Sequence, residues 1–248
     1  MRNDRRKMVI GSEEDGAASI KNGLPRQAEA AIALVGLVIV APLIALTAIV
    51  IAVTSRGPVI FRQKRVGRRG RPFTMYKLRT MRTANSGPQV TAGDDVRITP
   101  VGKFLRKTKL DELPELWNVL KGDMSLIGPR PEVPRYVDLE DRMWRLVLEA
   151  RPGIADPMTL LLRNEEALLV EVKGDRERFY LETLLPFKLE GYLNYLKARS
   201  WRSDLKVLWQ TIGAVAFPNK TPLTTIEEIE SHRGAIIGPT LVARRAGK

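Results

Sequence analysis

The residues best suited to chemistry are two adjacent carboxylates, Asp111 and Glu112, within Lys107-Thr-Lys-Leu-Asp-Glu-Leu-Pro-Glu-Leu-Trp117. The chain has no cysteine and one histidine, His232. That composition excludes a thiol nucleophile, a disulfide framework and a cysteine-based zinc site, and leaves no basis for a histidine-centred triad or a multi-histidine metal centre. Carboxylates must therefore carry any catalysis. Neighbours on a regular helix diverge by about 100°, so the two can share one site only where the backbone is still turning. Pro114 places them there, because proline is tolerated in a first helical turn. A helix start also presents free N–H groups that favour phosphate. Taken alone, the dipeptide reads first as a helix cap. Arg106, Lys107 and Lys109 supply a second reading, cations that neutralise phosphate beside a carboxylate nucleophile, although they equally suit a solvated face.

The elements around the dyad are strongly basic. The 248-residue chain carries a formal charge of +13. Between Arg56 and Lys109 stand 15 basic residues against Asp94 and Asp95 alone. Such a balance implies a polyanionic partner: nucleic acid, an anionic membrane surface or phosphorylated small molecules. Asp94-Asp95 resembles a metal-binding pair in isolation but lies in a connecting stretch; Asp123 reads as a turn residue after Gly122.

Residues 1–26 form a polar arm with no signal-peptide pattern, and residues 27–56 contain an apolar run from Ala30 to Val53. As one helix that run would measure about 36 Å, enough for a bilayer core of about 30 Å. Pro42 interrupts it, and each half alone is too short to cross. A kinked span and a re-entrant helix broken near Pro42 both remain open, while the absence of charge argues against a buried core helix. Basic residues on both flanks favour a helix that returns to the cytoplasmic side.

Residues 57–217 read as a cytoplasmic catalytic domain of the α+β class, mostly helical with a small β element, and residues 218–248 as an irregular tail. Short strands are predicted at Val59–Phe61 and Phe73–Tyr76, with helices over 101–107, 114–120, 138–149, 165–172, 176–185, 189–199 and 203–215, and a proline-rich loop over 126–134. Tyr192, Tyr195, Trp201 and Trp209 alternate with Lys188, Lys197, Arg199, Arg202 and Lys206, a mixture that suits amphipathic membrane-interface helices and also ordinary core packing.

The stretch from Arg97-Ile-Thr-Pro-Val-Gly through the dyad to Ile127-Gly-Pro-Arg-Pro131 resembles the signature of the bacterial sugar transferase family. These are the monotopic phosphoglycosyl transferases that begin assembly of capsule, exopolysaccharide, O-antigen or glycoprotein glycans. Gln63-Lys-Arg-Val-Gly67 and Lys77-Leu-Arg-Thr-Met81 resemble two further family blocks.

The resemblance implies transfer of a phosphosugar from a nucleotide diphosphate sugar, a UDP-sugar, to a polyprenol phosphate such as undecaprenyl phosphate, at the cytoplasmic face of the bacterial inner membrane. It implies Asp111 as the nucleophile that forms a covalent aspartyl-phosphosugar intermediate, Glu112 as its local base, and Mg2+ held chiefly by Asp111. Lys77 and Arg106 match basic positions near the phosphates. Arg79 could act likewise or be a strand-pairing residue, and Arg130 in the Pro129-Arg-Pro131 loop either reaches phosphate or braces the loop. Two departures stand out. The family's Ser-Pro break is Ala41-Pro42 here, and where it carries a Trp-Ala-Gln-Val-Asn-Gly-Arg-Asn block after Pro-Gly this chain has Arg151-Pro-Gly-Ile-Ala-Asp-Pro-Met-Thr-Leu-Leu-Leu-Arg-Asn164, in which only Pro152-Gly153 and Arg163-Asn164 align. Arg163 remains as a residue that could touch the donor.

Membrane lipids join the donor and the acceptor as expected partners, and neither the sugar nor the oligomeric state, a homodimer among the options, is written in these residues. Net charge alone would also suit a membrane-tethered nucleic-acid-binding protein, but no helix-turn-helix, RRM or zinc pattern accompanies it. A catalytically silent adaptor would not need both members of the dyad.

Overall fold

The computed structural model describes residues 20–82, 90–217 and 224–236. Most of the expected polar arm lies outside them. A helix α1 spans Arg26–Thr54. An antiparallel hairpin follows, β1 (Ile60–Val66) paired with β2 (Pro72–Leu78), with Ile60 opposite Leu78 and Val66 opposite Pro72. Then come α2 (Pro100–Thr108), α3 (Glu115–Lys121), β3 (Ser125–Ile127), α4 (Arg142–Val147), β4 (Gly153–Ala155), α5 (Pro157–Leu161) and α6 (Glu165–Glu171). The last described elements are α7 (Arg176–Phe179), α8 (Leu185–Ala198), α9 (Trp201–Ala216) and α10 (Ile226–Ile236).

The mostly helical α+β class expected from sequence is observed. The hairpin is longer than predicted because alternation continues to Val66 and Leu78, whose side chains reach the core. A short parallel pair, Ser125 opposite Gly153 and Ile127 opposite Ala155, replaces part of the predicted loop. It escapes a sequence reading because three-residue strands carry no usable period. The predicted helix over 138–149 shrinks to α4, capped by the Asp141 side chain on the Trp144 N–H at 3.0 Å. The break from α7 to α8 is a π turn, Tyr180–Leu184, followed by Pro186 in the first turn of α8. A reciprocal Ser200/Ser203 capping box starts α9.

Two expectations are corrected. The helix α1 is not broken near Pro42: helical geometry runs unbroken from Arg26 to Thr54. A proline removes only its own N–H bond, and both ends of α1 are docked. Arg26 donates to the Val119 and Leu120 carbonyls, Glu29 accepts from the Leu126 N–H at 3.2 Å, and Ile51 packs with Leu78 and Leu105. The region after Pro218 is not wholly irregular, since α10 forms there. Thr225 and Glu228 cap it reciprocally, and Ile229 is fully buried.

Only Glu29, Ala33, Thr47 and Ile51 of α1 are buried, whereas Leu34, Val35, Val38, Ile39, Leu46, Ile49 and Val53 face outward. This helix is long and apolar enough to cross a membrane, with 11% of its apolar window buried. Among the described residues α1 is therefore not a buried core helix, and its outer face is a continuous apolar surface. The main core gathers Tyr136, Trp144, Tyr180, Leu184 and Tyr192, and a second core joins Ala33 of α1 to Phe73, Met75, Val119 and Met124.

Candidate active site

Helix α2 ends at Lys109, a non-glycine residue in the left-handed region at φ 58. That turn redirects the chain into a single 3-10 turn, Leu110–Glu112, and α3 begins three residues later. The dyad thus sits where the backbone is turning, as expected. The capping alternative fails, because α3 has Pro114 at its N-cap and no side-chain cap bond. Buried Asn118 fixes α3 against β2. Its amide donates to the Thr74 carbonyl at 2.7 Å and accepts from the Tyr76 N–H at 3.2 Å, which aligns Lys77 with the dyad.

Glu112 accepts from Lys77 Nζ at 2.8 Å and from Arg130 Nη2, and Lys77 also lies 3.2 Å from Glu115. The Arg130 loop is held from two sides. Gly153 N–H donates to the Pro129 carbonyl at 2.9 Å, and Arg65 donates to the Pro131 carbonyl at 3.0 Å. Gly128 and Gly153 permit this approach, since a Cβ on Gly153 would stand 2.1 Å from the Gly128 nitrogen. The predicted alternatives for Arg130, loop brace or anion contact, resolve into an ion pair with the dyad itself.

Asp111 is buried, and its Oδ1 has no hydrogen-bond partner. Burial, reinforced by the Glu112 charge, raises its pKa above the ordinary aspartate value. Burial opposes ionisation of Glu112 too, but Arg130, Lys77 and Lys109 together outweigh it and hold that carboxyl well below the usual range. Burial raises Glu115. The site therefore contains one carboxylate locked as an anion and one whose buried oxygen is uncommitted. Within ion-pair distance Glu112 and Glu115 share Lys77, Glu112 also has Arg130, and Asp111 has no such partner, so its uncommitted oxygen is free to meet a ligand or a cation.

Lys77, Arg79, Arg106, Asp111, Glu112, Arg130 and Arg163 all line one cleft of about 2230 Å3. The structure brings Lys77, Asp111, Glu112 and Arg130 together. The other three stand apart. Arg79 donates to the Ser55 carbonyl and hydroxyl at 2.7 Å each and to the Pro58 carbonyl, which ties β2 to the exit of α1. Arg106 pairs with Glu166 at 2.8 Å and donates to Thr80 Oγ1 at 3.0 Å. Arg163 retains a buried Nη1 without a partner. Asp94 is held by Arg176 and Asp95 by Arg97, so arginines engage both carboxylates of that pair. Asp123 accepts from Asn118 and Lys121 at the turn after α3. Among the described residues no group of three or more His, Cys, Asp or Glu side chains could hold a metal.

Sequence reasoning missed Glu115 and a buried network behind Arg130. There Tyr180 donates to Glu132, Lys188 lies 3.3 Å from Glu165, and Lys188 Nζ is 3.2 Å from the Tyr180 hydroxyl. The available signal was charge at apolar positions: Glu115 directly before Leu116-Trp117, and Lys188 within Leu184-Leu-Pro-Phe-Lys-Leu189. The interleaved aromatics divide. Tyr192 is buried and Tyr195 donates to Asp204, whereas Trp201 and Trp209 are exposed beside Ile212, Val215 and Phe217.

The chain is 45% identical over 145 residues to an Aeromonas hydrophila protein named UDP-N-acetylgalactosamine-undecaprenyl-phosphate N-acetylgalactosaminephosphotransferase, covering 56% of this chain and 33% of that one. It is 37% identical over 181 residues to a Caulobacter vibrioides UDP-glucose:undecaprenyl-phosphate glucose-1-phosphate transferase, covering 71% and 63% respectively. An Escherichia coli protein of the same UDP-glucose designation is 31% identical over 209 residues, covering 82% of this chain and 42% of its own length. The chain thus spans between about a third and two thirds of these relatives. Residues 20–218 match the family described as bacterial sugar transferase, and with the motif from Arg97 to Pro131 folded around the Asp111-Glu112 carboxylate pair, the chain belongs to that family.

Proposed function

We propose that this protein transfers a sugar phosphate from a UDP-sugar to a polyprenol phosphate, undecaprenyl phosphate, through a covalent aspartyl intermediate, and so initiates assembly of a bacterial glycan. One observation carries the reading: Asp111 presents a buried carboxylate oxygen without a partner, beside a Glu112 already clamped by Lys77 and Arg130. The names of the relatives support the donor and acceptor classes.

An Asp111 oxygen attacks the β-phosphorus of the donor. The bond from that phosphorus to the bridging oxygen breaks, and UMP leaves with the bridging oxygen. An oxygen of the polyprenol phosphate then attacks the same phosphorus and releases the Asp111 carboxylate. The acceptor phosphate attacks as its dianion and needs no base, because Glu112, held anionic well below the usual carboxylate range by Arg130 and Lys77, is too weak a base to take a phosphate proton. Arg130 and Lys77 face the diphosphate from the dyad and Arg106 from the cleft wall, while Arg163 lines the same cleft with a buried Nη1 still uncommitted. A magnesium ion fits this donor set, because magnesium is commonly bound by one or two carboxylates together with substrate phosphates. Asp111 would hold it, and when bound it supplies neutralisation of the diphosphate charge.

Turnover measured as UMP release from labelled UDP-sugar and undecaprenyl phosphate tests the reading. Asp111→Asn is expected to abolish both turnover and covalent labelling, and near-normal activity of that variant would overturn the assignment.

The apolar outer face of α1 is read as lying in the cytoplasmic leaflet of the inner membrane. Both ends of the unbroken α1 dock on the catalytic domain, which favours a helix lying along one leaflet with both ends on the same side over a span leading away from the domain. Exposed Trp201 and Trp209 suit the interface. Asn22→Cys in the otherwise cysteine-free chain checks this, and labelling from the periplasmic side would exclude it.

A further inference from the structure

The match to the family ends at residue 218, yet the next described segment reaches back to the cleft. Thr224 is buried. Its hydroxyl donates to the Leu161 carbonyl at 2.8 Å, and its carbonyl accepts from Asn164 Nδ2 at 2.9 Å. Five residues on, Ile229 is fully buried in the main core with Tyr180, Leu184 and Leu185. The two Thr224 bonds grip both ends of the turn from α5 to α6, and Ile229 holds the segment on the core beside it.

That turn carries Arg163 and Asn164, both of which line the cleft. Arg163 Nη1 and Asn164 Oδ1 are buried and have no hydrogen-bond partner. The bond to Thr224 engages one Nδ2 hydrogen and fixes the plane of the Asn164 amide, so that Oδ1 is held in place without a partner. A buried donor and a buried acceptor on consecutive residues are costly when unmatched, and a ligand that hydrogen-bonds to both relieves that cost.

We propose that the segment from Thr224 through α10 is a strap that positions Arg163 and Asn164 to recognise an uncharged hydrogen-bonding part of the nucleotide-sugar donor. The inference rests on the transfer reading above for the identity of the donor. The recognised group must offer an acceptor to Arg163 and a donor to Asn164. Sugar hydroxyls and the imide edge of uracil both do so, and they are separated by comparing UDP with UDP-sugars. Thr224 and Ile229 are positioning residues, since neither is required to touch substrate.

The experiment uses the full chain in nanodiscs with the variants Thr224→Val, Thr224→Ser and Ile229→Ala. Thr224→Val and Ile229→Ala are expected to raise the donor KM by about five- to tenfold with kcat within about twofold, the pattern for lost uniform donor binding. The KM for undecaprenyl phosphate stays unchanged, and Thr224→Ser, which keeps the hydroxyl, restores the wild-type donor KM. Amide exchange over 162–169 accelerates in the two loosened variants. Equal weakening of UDP and of UDP-N-acetylgalactosamine assigns the pair to the base; weakening of the UDP-sugar alone assigns it to the sugar. An unchanged donor KM in folded Thr224→Val protein overturns the proposal, as does an equal rise in acceptor KM. Should Ile229→Ala fail to fold, the two Thr224 variants decide alone. Turnover retained by Asp111→Asn would sink the transfer reading, whereas the exchange rates over 162–169 report on the strap independently.

Discussion

Replacing Glu112 with Gln keeps the shape of the side chain and removes its charge. Lys77 then still has Glu115 at 3.2 Å, but Arg130 loses the carboxylate that holds it. Breaking a fully buried ion pair by removing one partner costs about 3–5 kcal/mol. The Arg130 side chain is 26% exposed and that of Glu112 10%, so water recovers part of the loss. A destabilisation of about 2–3 kcal/mol follows after that discount. For a domain of this size it corresponds to a fall in melting temperature of about 5–10 °C. Arg130→Met should cost a similar amount, because it leaves Glu112 with Lys77 alone. The double variant Glu112→Gln/Arg130→Met should lose much less than the sum, with a coupling energy of about 2 kcal/mol. Thermal melts of the four proteins in the same detergent measure this cycle. UMP release separates stability from chemistry, since the double variant regains stability while remaining inactive. A coupling energy below about 0.5 kcal/mol would refute the ion pair as the element that fixes Glu112.

Arg79→Ala should uncouple β2 from the end of α1 and lower stability by about 1–3 kcal/mol, because it leaves the Ser55 and Pro58 carbonyls unpaired. Its donor KM should change less than about threefold; a tenfold rise without a change in melting temperature would instead place Arg79 on the substrate phosphates. Chelation of divalent cations should abolish UMP release and magnesium should restore it, with no recovery in Asp111→Asn; full turnover in excess chelator would remove the metal from the scheme.

Much of this protein is legible before folding. Local features sufficed where the physics is local. An apolar run without charge marks α1, alternation marks the hairpin, and Pro114 after a dipeptide of carboxylates marks a turn ahead of a helix. The ordered block from Arg97 to Pro131 names the family because its residues serve one site and lie close together in the chain.

What remained depends on partners distant in sequence. Arg79, Arg106 and Arg130 look interchangeable as basic residues near a motif. Folding sends the first to the end of α1, the second to Glu166 and the third to Glu112, because each guanidinium goes to the acceptors that its own element brings within reach. Whether Pro42 breaks α1 is settled by how both helix ends dock, not by the proline alone. Asp111 is the clearest case. Its sequence marks a carboxylate beside another carboxylate, as consistent with a cap as with a nucleophile. Only tertiary packing buries it, gives Glu112 both nearby cations and leaves one Asp111 oxygen without a partner, since burial and charge pairing are properties of neighbours that the chain order does not contain.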